Sequence, residues 1–249
     1  MQLPEENIYG HTKKLKFILK NIEEYKKQSN LPIKILDFGC GNGEAVTKYL
    51  IQSDTIVYGI DIHDESIEYA KNKFSCDNAI FQKDLPSNVE FDVIVYADVL
   101  EHLENPLKFL REHFPLLKKG GIVLGSLPNG YGPFEIEKKI TKYLGMDLLI
   151  KLLINFKRKL KKSESLESIP YNEESGHVNF FTLRKLIKLF EDAGYQVEKI
   201  ENGPFIGAPM SERFIKHFNS LIKFNVSIGE KLPHWLVSTW YFNLIKGNK

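Results

Sequence analysis

Short apolar segments alternate with helix-like segments through the first half of the chain, and this alternation most constrains the fold. The runs IKIL, TIVYGI and FDVIVYA have the length and the β-branched composition of buried strands. Amphipathic stretches separate them, such as DESIEYAKNKF, for which we predict Asp64 as the N-cap. Other predicted helices cover residues 11–28, 44–52 and 211–224. Strands that alternate with helices predict an α/β fold, in which helices cover both faces of a mainly parallel sheet.

The alternation is interrupted twice in the second half of the chain. Residues 128–176 form a long insertion after the fifth predicted strand, and residues 203–234 form another before the last strand at 235–245. Between the two insertions, a helix that stops at Gly194 and the strand YQVEKI continue the series. We therefore predict a single domain over residues 1–249 that carries two insertions.

Length and composition exclude several protein classes. With 249 residues, of which 43% are hydrophobic and 27% charged, the chain can bury one large core. Only two cysteines occur, which argues against a disulfide framework and fits a reducing compartment. The N-terminus has no apolar signal segment, and the most apolar stretch, residues 143–156, is too short and too charged to span a bilayer. We expect a cytoplasmic protein.

The positive charge of the chain is concentrated in the first insertion. Residues 138–162 contain nine basic side chains against the single acid Asp147, a local net charge of +8 in a chain whose formal net charge is +2. Apolar residues at helical spacing accompany them, which favours packing on the domain or a homodimer contact over a peripheral contact of residues 143–162 with an anionic membrane. Because the charge is confined to one segment without an aromatic stacking platform, nucleic acid is not the favoured partner.

Three glycines stand where the first predicted strand turns into a helix, in DFGCGNGEA. Gly39, Gly41 and Gly43 allow a sharp turn and a close approach of the backbone to a ligand. The segment lacks the Gly-Lys-Ser/Thr of a phosphate-binding loop, and Glu44 stands where a dinucleotide-binding fingerprint has its third glycine. Asp37 is poorly suited to a pyrophosphate. An acid beside glycine-rich backbone instead suits a ligand with an ammonium and a carboxylate group, such as an amino acid.

Two further acids end the next predicted strands. Asp61 closes the second strand, where a carboxylate can accept hydrogen bonds from both hydroxyls of a ribose. Asp84 closes the third strand, where it can accept a hydrogen bond from the amino group of an adenine. An amino acid, a ribose and an adenine together constitute S-adenosylmethionine, so the sequence predicts this cofactor, with S-adenosylhomocysteine as its product.

The segments ILDFGCGNG, GIDI, FQKDL and FDVIVYADVLEHLENP resemble the class I S-adenosylmethionine-dependent methyltransferases in order and spacing. The resemblance covers residues 31–127 and 176–202 closely. It implies a Rossmann-like sheet of seven mostly parallel strands with an antiparallel last strand, helices on both faces, and helical insertions after strand 5 and between strands 6 and 7. It also implies that the N-terminal helix (1–30) covers the cofactor, that Tyr9 or His11 can face the substrate, and that the insertions determine the substrate.

The resemblance further implies which residues contact the cofactor. The methionine part is expected at the first loop, on Asp37, Gly39, Cys40, Gly41 and Gly43. The nucleoside is expected after the second and third strands, on Asp61, Ile62, Asp84 and Leu85. The sulfonium is expected after the fourth strand, between Ala97 and Asp98. The reaction would be an in-line displacement, in which the protein aligns the nucleophile, the methyl carbon and the sulfur.

The segment YADVLEHLENP, after the fourth strand, carries the candidate catalytic residues. If helical, it places Asp98, Glu101 and His102 on one face. These side chains could shape the pocket floor, His102 could act as a general base, or all three could bind a divalent metal. Ubiquinone-pathway O-methyltransferases and small-RNA 3′-end 2′-O-methyltransferases look similar here, but with glutamate in place of Asp98, whose shorter reach disfavours metal. His177 could join such a set, act as an independent base, or form a pocket wall.

The sequence thus predicts an S-adenosylmethionine-dependent methyltransferase, with Glu101, His102 and His177 as candidate catalytic residues and no assigned metal ligand. The acceptor is expected to be a hydroxyl of a small molecule, a sugar or a lipid-linked intermediate. An RNA 2′-O-methyltransferase with a metal-assisted site and a non-catalytic S-adenosylmethionine-binding protein are the alternatives.

Overall fold

In the computed structural model, residues 2–144, 176–207 and 209–247 are described, and within them seven strands form one sheet. The strands are β1 (Ile33–Phe38), β2 (Thr55–Ile60), β3 (Ala79–Gln82), β4 (Phe91–Ala97), β5 (Leu117–Pro128), β6 (Tyr195–Asn202) and β7 (Thr239–Lys246). Their spatial order is β3-β2-β1-β4-β5-β7-β6, with β7 antiparallel to both of its neighbours. This topology confirms the predicted fold class.

Helices cover both faces of the sheet. They are α1 (His11–Lys26), α2 (Thr47–Leu50), α3 (Asp64–Phe74), α4 (Pro106–His113), α5 (Pro133–Tyr143), α6 (Leu183–Asp192), α7 (Pro209–Ile215) and α8 (Asn219–Lys231). Short 3₁₀ turns occupy Leu100–His102, Phe114–Leu116 and His234–Leu236. No helix within the described ranges is long and apolar enough to cross a membrane.

The two largest hydrophobic clusters of the described residues lie on opposite faces, because successive strand residues point to opposite faces of the sheet. On one face, Val93 and Val95 of β4 pack in the same cluster as Leu15 and Ile18 of α1. On the other face, Tyr96 of β4 belongs to a second cluster, which includes residues of α4 and α6. The near-continuous apolar sequence of β4 follows from burial on both faces.

The glycine loop makes the first crossover helix shorter than predicted. The predicted helix over residues 44–52 is observed only at Thr47–Leu50. Gly43 has a left-handed φ of 77°, and the Asn42 side chain accepts a hydrogen bond from the Glu44 N–H, so the turn continues into the predicted helix. The N-cap of α3 is also displaced by one residue, because the His63 side chain, and not Asp64, accepts from the Ser66 N–H.

The predicted elements of the second insertion differ in detail. The expected helix over residues 211–224 is two helices, α7 and α8, because Phe218 is extended and starts a new helix at Asn219. The predicted last strand at 235–245 begins only at Thr239, after a 3₁₀ turn. The segment 143–162, predicted as a packing, dimer or membrane surface, lies outside the described residues except for the exposed Tyr143 and Leu144.

Candidate active site

A cavity of about 1220 Å³ opens at the carboxyl ends of β1, β2 and β4. The order of the strands reverses between β1 and β4, and ligands of open α/β sheets bind at such a switch point. The N-terminal segment and both insertions complete the wall, since Asn7, Tyr9, Phe134, Pro204 and Gly207 line the cavity. The cavity therefore combines a sheet edge with a roof from distant parts of the sequence.

The glycine loop forms one side of the cavity. Gly39, Gly41 and Gly43 have left-handed φ angles of 74°, 54° and 77°. A Cβ on Gly39 would lie 2.7 Å from Cγ2 of Val99, whereas a Cβ on Gly41 would meet nothing within 4 Å. Gly39, Cys40 and Gly41 line the cavity, but Gly43 packs against Phe74 outside the lining. The first two glycines thus leave backbone accessible to a ligand.

Asp61 supports the loop from the end of β2. Its Oδ2 accepts from the Gly41 N–H at 2.7 Å, and its Oδ1 accepts from the His63 N–H at 2.9 Å. Each carboxylate oxygen can accept a further hydrogen bond, so the side chain retains capacity for a ligand hydroxyl. Asp61 and the exposed Ile62 both line the cavity, as a ribose and adenine site requires.

Asp37 lies buried beneath the same loop. Its Oδ2 accepts from Thr47 Oγ1 at 2.7 Å, and the carboxyl is also part of the cavity wall. Burial raises the pKa of Asp37 to about 7; the Asp61 charge adds to this rise, and the Thr47 hydrogen bond opposes it. A cationic ligand group beside Asp37 would favour the ionised carboxylate.

Asp84 and Leu85 lie outside the cavity lining. Asp84 is exposed, and its backbone carbonyl accepts from Gln82 Nε2. Leu85 is partly buried against the core on the α4 side of the sheet. Their predicted contact with adenine stays a prediction.

Asp98 is held by Ser126 and Lys14. Its φ of 58° is left-handed, and its N–H donates to the Ser126 carbonyl at 3.1 Å. The side chain accepts from Ser126 Oγ at 2.5 Å and from Lys14 Nζ at 2.6 Å. A shared face of Asp98, Glu101 and His102 required this segment to be helical, and that condition is not met, because a left-handed turn and a 3₁₀ segment take the place of a helix.

Lys14 stabilises the ionised carboxylate of Asp98. Burial raises the pKa of Asp98, but the charge and hydrogen bond of Lys14, with the Ser126 hydrogen bond, outweigh it and lower the pKa below its usual value. Ala97 and Asp98 both line the cavity, at the place predicted for the sulfonium. Sequence reasoning missed Lys14, although its position one helical turn after His11 placed both on one face of α1.

Glu101, His102 and His177 converge at one place in the cavity wall. One ligand atom from each lies within 4.8 Å of those from the other two. Glu101 is 1% exposed, and its Oε2 has no hydrogen-bond partner in the part of the chain that is described. Burial, with a contribution from the Asp98 charge, raises the pKa of Glu101 well above its usual range. The three candidate catalytic residues thus form one cluster, which also lines the cavity.

The Nδ1 atoms of His102 and His177 contact groups outside the three-residue cluster. His102 Nδ1 lies 3.2 Å from the Gly176 carbonyl oxygen, and His177 Nδ1 lies 2.9 Å from Glu135 Oε1. Each Nε2 is thereby left for the cavity. Burial lowers the pKa of His102, which favours the neutral imidazole. The carboxyl group of Glu101 and two imidazoles oriented through Nδ1 can act on a hydroxyl or bind a divalent metal.

The roof of the cavity is fixed by bonds between the N-terminus and the second insertion. Tyr9 Oη donates to Glu212 Oε2 at 2.6 Å, and Asn225 Nδ2 donates to the Ile8 carbonyl at 3.2 Å. Tyr9, His11 and Lys14 face the cavity. The N-terminal segment therefore contributes wall residues, as expected for Tyr9 and His11.

Comparison with known families gives a match over most of the chain. A family model described as a methyltransferase domain matches residues 9–200. A ubiquinone biosynthesis O-methyltransferase of Pelagibacter ubique (strain HTCC1062) is 33% identical over 151 residues, which cover 56% of this chain and 61% of that protein. One of Coxiella burnetii (strain Dugway 5J108-111) is 31% identical over 105 residues, which cover 38% and 43%. The matched part of the chain thus spans less than two thirds of the length of these relatives.

Solved structures share the fold at low sequence identity. Magnesium protoporphyrin IX methyltransferase from Synechocystis PCC 6803, with bound S-adenosylhomocysteine, has a TM-score of 0.57 at 14% identity, covering 96% of this chain and 84% of that one. An S-adenosylmethionine-dependent methyltransferase from Clostridium acetobutylicum ATCC 824 has a TM-score of 0.57 at 13% identity, covering 96% and 92%.

Proposed function

The chain belongs to the class I S-adenosylmethionine-dependent methyltransferases, and from this premise we propose that it methylates a hydroxyl oxygen of a small molecule, a sugar or a lipid-linked intermediate. The convergence of Glu101, His102 and His177 on one side of the cavity carries the proposal. Similarity to proteins named ubiquinone biosynthesis O-methyltransferase supports oxygen as the acceptor atom.

The cofactor is proposed to occupy the half of the cavity formed by β1, β2 and β4. The glycine loop and Asp37 receive its amino-acid end, and the raised pKa of Asp37 falls when the ligand ammonium approaches. Asp61 receives the ribose, with Ile62 against the base. This arrangement leaves the sulfonium near Ala97 and Asp98, next to the three converging side chains.

The chemistry follows from the Nε2 atoms of the two histidines, whose Nδ1 atoms contact Gly176 and Glu135. A neutral histidine whose Nδ1 carries the hydrogen has an unshared pair on Nε2. His102 or His177 takes the hydroxyl proton on Nε2 while the oxygen forms its bond to the methyl carbon. The carbon–sulfur bond breaks, its electron pair stays on sulfur, and the products are a methyl ether and neutral S-adenosylhomocysteine. Alignment by the cavity walls supplies most of the acceleration.

A second form of the same function uses a divalent cation. The unpartnered Oε2 of Glu101 and the two Nε2 atoms fit such an ion, whereas Asp98 is engaged by Lys14. Glu101, His102 and His177 would hold the cation, and Lewis-acid activation of the acceptor hydroxyl is the chemistry it supplies. The protein's part is unchanged: it orients the hydroxyl toward the sulfonium and excludes water.

A turnover assay with defined acceptors tests the proposal. S-Adenosylhomocysteine formation is measured by mass spectrometry with a catechol, a hexose or an RNA oligonucleotide, before and after chelator treatment and magnesium addition. We expect turnover with a small hydroxyl acceptor and a loss of roughly 100-fold or more in His102→Ala. His217→Ala, which removes an exposed histidine outside the cavity, is the matched control.

The outcomes separate the alternatives. Binding of S-adenosylmethionine by calorimetry without turnover on any acceptor would overturn the enzymatic proposal and favour a binding protein. Turnover confined to the RNA would favour the RNA methyltransferase. Activity lost with chelator and restored by magnesium would support the cation, and indifference to chelator would leave histidine as the base.

A further inference from the structure

We propose that Glu135, on the insertion after β5, is a positioning residue that fixes the ring of His177 in the acceptor site. It does so by accepting a hydrogen bond that holds both the tautomer and the orientation of the imidazole. The proposal rests on the proposed function, because it gives one member of the acceptor cluster its working geometry.

The contact itself defines the tautomer. Glu135 is 2% exposed, and its Oε1 lies 2.9 Å from His177 Nδ1. A carboxylate oxygen only accepts, so in the neutral imidazole the hydrogen sits on Nδ1 and the unshared pair on Nε2. In the alternative tautomer, an unprotonated Nδ1 would face Glu135 Oε1, so two hydrogen-bond acceptors would lie 2.9 Å apart without a hydrogen between them. Glu135 thus turns the basic, metal-binding nitrogen toward Glu101 and His102.

The start of α5, the helix that carries Glu135, is anchored by contacts with the segment before β7. It begins at Pro133, directly after Gly132, where a Cβ would lie 2.4 Å from the Val237 carbonyl oxygen. Asn129 Nδ2 donates to the carbonyls of Trp235 and Val237, at 3.1 and 2.9 Å. The first turn of α5 is therefore tied to the chain that enters β7. The Glu135 carboxylate, which lies on this anchored first turn, can therefore hold the His177 ring in place.

The backbone around His177 is fixed from the other side. The N–H groups of Val178 and Asn179 both donate to the Glu101 carbonyl, at 2.9 and 3.0 Å. The Gly176 carbonyl, one residue before His177, lies against His102 Nδ1. The backbone next to His177 is thus bonded to Glu101 and its ring nitrogen to Glu135, and together these contacts restrict the orientation of the imidazole. The insertion thus supplies the carboxylate that orients the imidazole of His177, the first residue after it.

Histidine NMR tests the proposal directly. Two-bond ¹H–¹⁵N spectra of the chelator-treated full chain report the tautomer, with the His177 signals assigned from His177→Ala. We expect the Nδ1–H tautomer in the parent, its loss or averaging in Glu135→Ala, and its retention in Glu135→Gln, whose amide oxygen can still accept. Glu137→Gln is the matched control, because Glu137 lies on the same helix but accepts from Met210 and Ser211.

Kinetics and binding complete the test. With an active acceptor, Glu135→Ala should lower kcat by about 10- to 100-fold, Glu135→Gln should recover most of it, and S-adenosylmethionine affinity should be unchanged in both. The proposal is overturned if Glu135→Ala keeps the Nδ1–H signature, or if Glu137→Gln alters His177 equally. The tautomer readout needs no acceptor, so failure of the proposed function would leave this test intact.

Discussion

Single acidic side chains at the ends of β1, β2 and β4 line the cavity and also have partners within the protein. Asp61 accepts from two backbone N–H groups and faces the cavity, so it shapes the loop that it shares with the cofactor. Asp37 is buried with one hydroxyl partner, so it carries an electrostatic cost that a ligand ammonium relieves. Asp98 has its charge matched by Lys14 before any ligand arrives.

Replacement of Asp61 tests the ribose assignment. Asp61→Ala should weaken S-adenosylmethionine binding by at least about tenfold, because it removes the proposed acceptor for the ribose hydroxyls. It also leaves the N–H groups of Gly41 and His63 without the Asp61 carboxylate, and each lost hydrogen-bond partner costs about 1–3 kcal/mol where the N–H is buried. Isothermal calorimetry measures the change. Asp64→Ala removes an exposed acid paired with Lys83 and should leave the affinity unaltered. Unchanged affinity in Asp61→Ala would refute the assignment.

The raised pKa of Asp37 predicts a pH-dependent cofactor affinity. The ligand ammonium binds the ionised carboxylate, so binding lowers a pKa that burial holds at about 7 in the free protein. Affinity should therefore rise with pH up to about 7, by at most about tenfold per pH unit, and decline above about 8 as the ligand amine loses its proton. Calorimetry across this range measures it, and Asp37→Asn should remove the acid limb. A flat profile in the parent protein would contradict the prediction.

At the scale of elements, one left-handed residue decides what the segment after β4 presents to the cavity. A regular helix would have put Asp98 beside Glu101 and His102. The turn at Asp98 instead directs that carboxylate to Lys14 on α1, and the short 3₁₀ segment directs the other two toward His177. The pairing with α1 therefore balances the charge of Asp98, whereas Glu101, His102 and His177 form the candidate catalytic cluster.

The junction of the N-terminal segment with α1 is expected to be sensitive to a single methyl group. Gly10 has a φ of 73°, and a Cβ there would lie 2.7 Å from Tyr241 Oη and 2.8 Å from Pro204 Cδ. Gly10→Ala should lower the free energy of unfolding by about 2–4 kcal/mol, from left-handed strain plus overpacking. Urea unfolding measures the loss.

Gly120→Ala separates these two contributions. Gly120 has a φ of 77°, but a Cβ there would meet nothing within 4 Å. This variant should lose only about 1–2 kcal/mol, from backbone strain alone. Equal losses in Gly10→Ala and Gly120→Ala would show that the contacts to Tyr241 and Pro204 relax without cost.

At the scale of the whole molecule, one sheet joins the two halves of the cavity. β1 and β2 carry the proposed cofactor side, and the insertions that line the proposed acceptor side follow β5 and β6. The predicted single domain implies that both halves unfold together. Trp240 reports on the acceptor side, because it is buried in β7, whereas Trp235 is exposed.

Coincident unfolding curves are the expected outcome. In Trp235→Phe, urea unfolding followed by Trp240 fluorescence and by far-ultraviolet circular dichroism should give the same midpoint, because the sheet is continuous from β3 to β6. An earlier fluorescence transition would show that the β5–β7–β6 side unfolds as a separate unit, and would contradict the single-domain prediction.

The sequence by itself determined the sheet, the glycine loop and the acids at the strand ends. These features depend on local patterns: strand length, helical periodicity and the residue that ends each strand. The fold class, the family and the position of Asp37 and Asp61 beside the loop could therefore be predicted from the order of the amino acids alone.

Only the tertiary structure decided how the acceptor side is built. Asp98 pairs with Lys14 across 84 residues, and Glu135 pairs with His177 across 42. No local pattern encodes such pairs, because each depends on where packing brings two distant elements. The left-handed turn at Asp98 likewise depends on its contacts with Ser126 on a neighbouring strand. Local sequence preferences thus determined the proposed cofactor side, and long-range packing determined the proposed acceptor side.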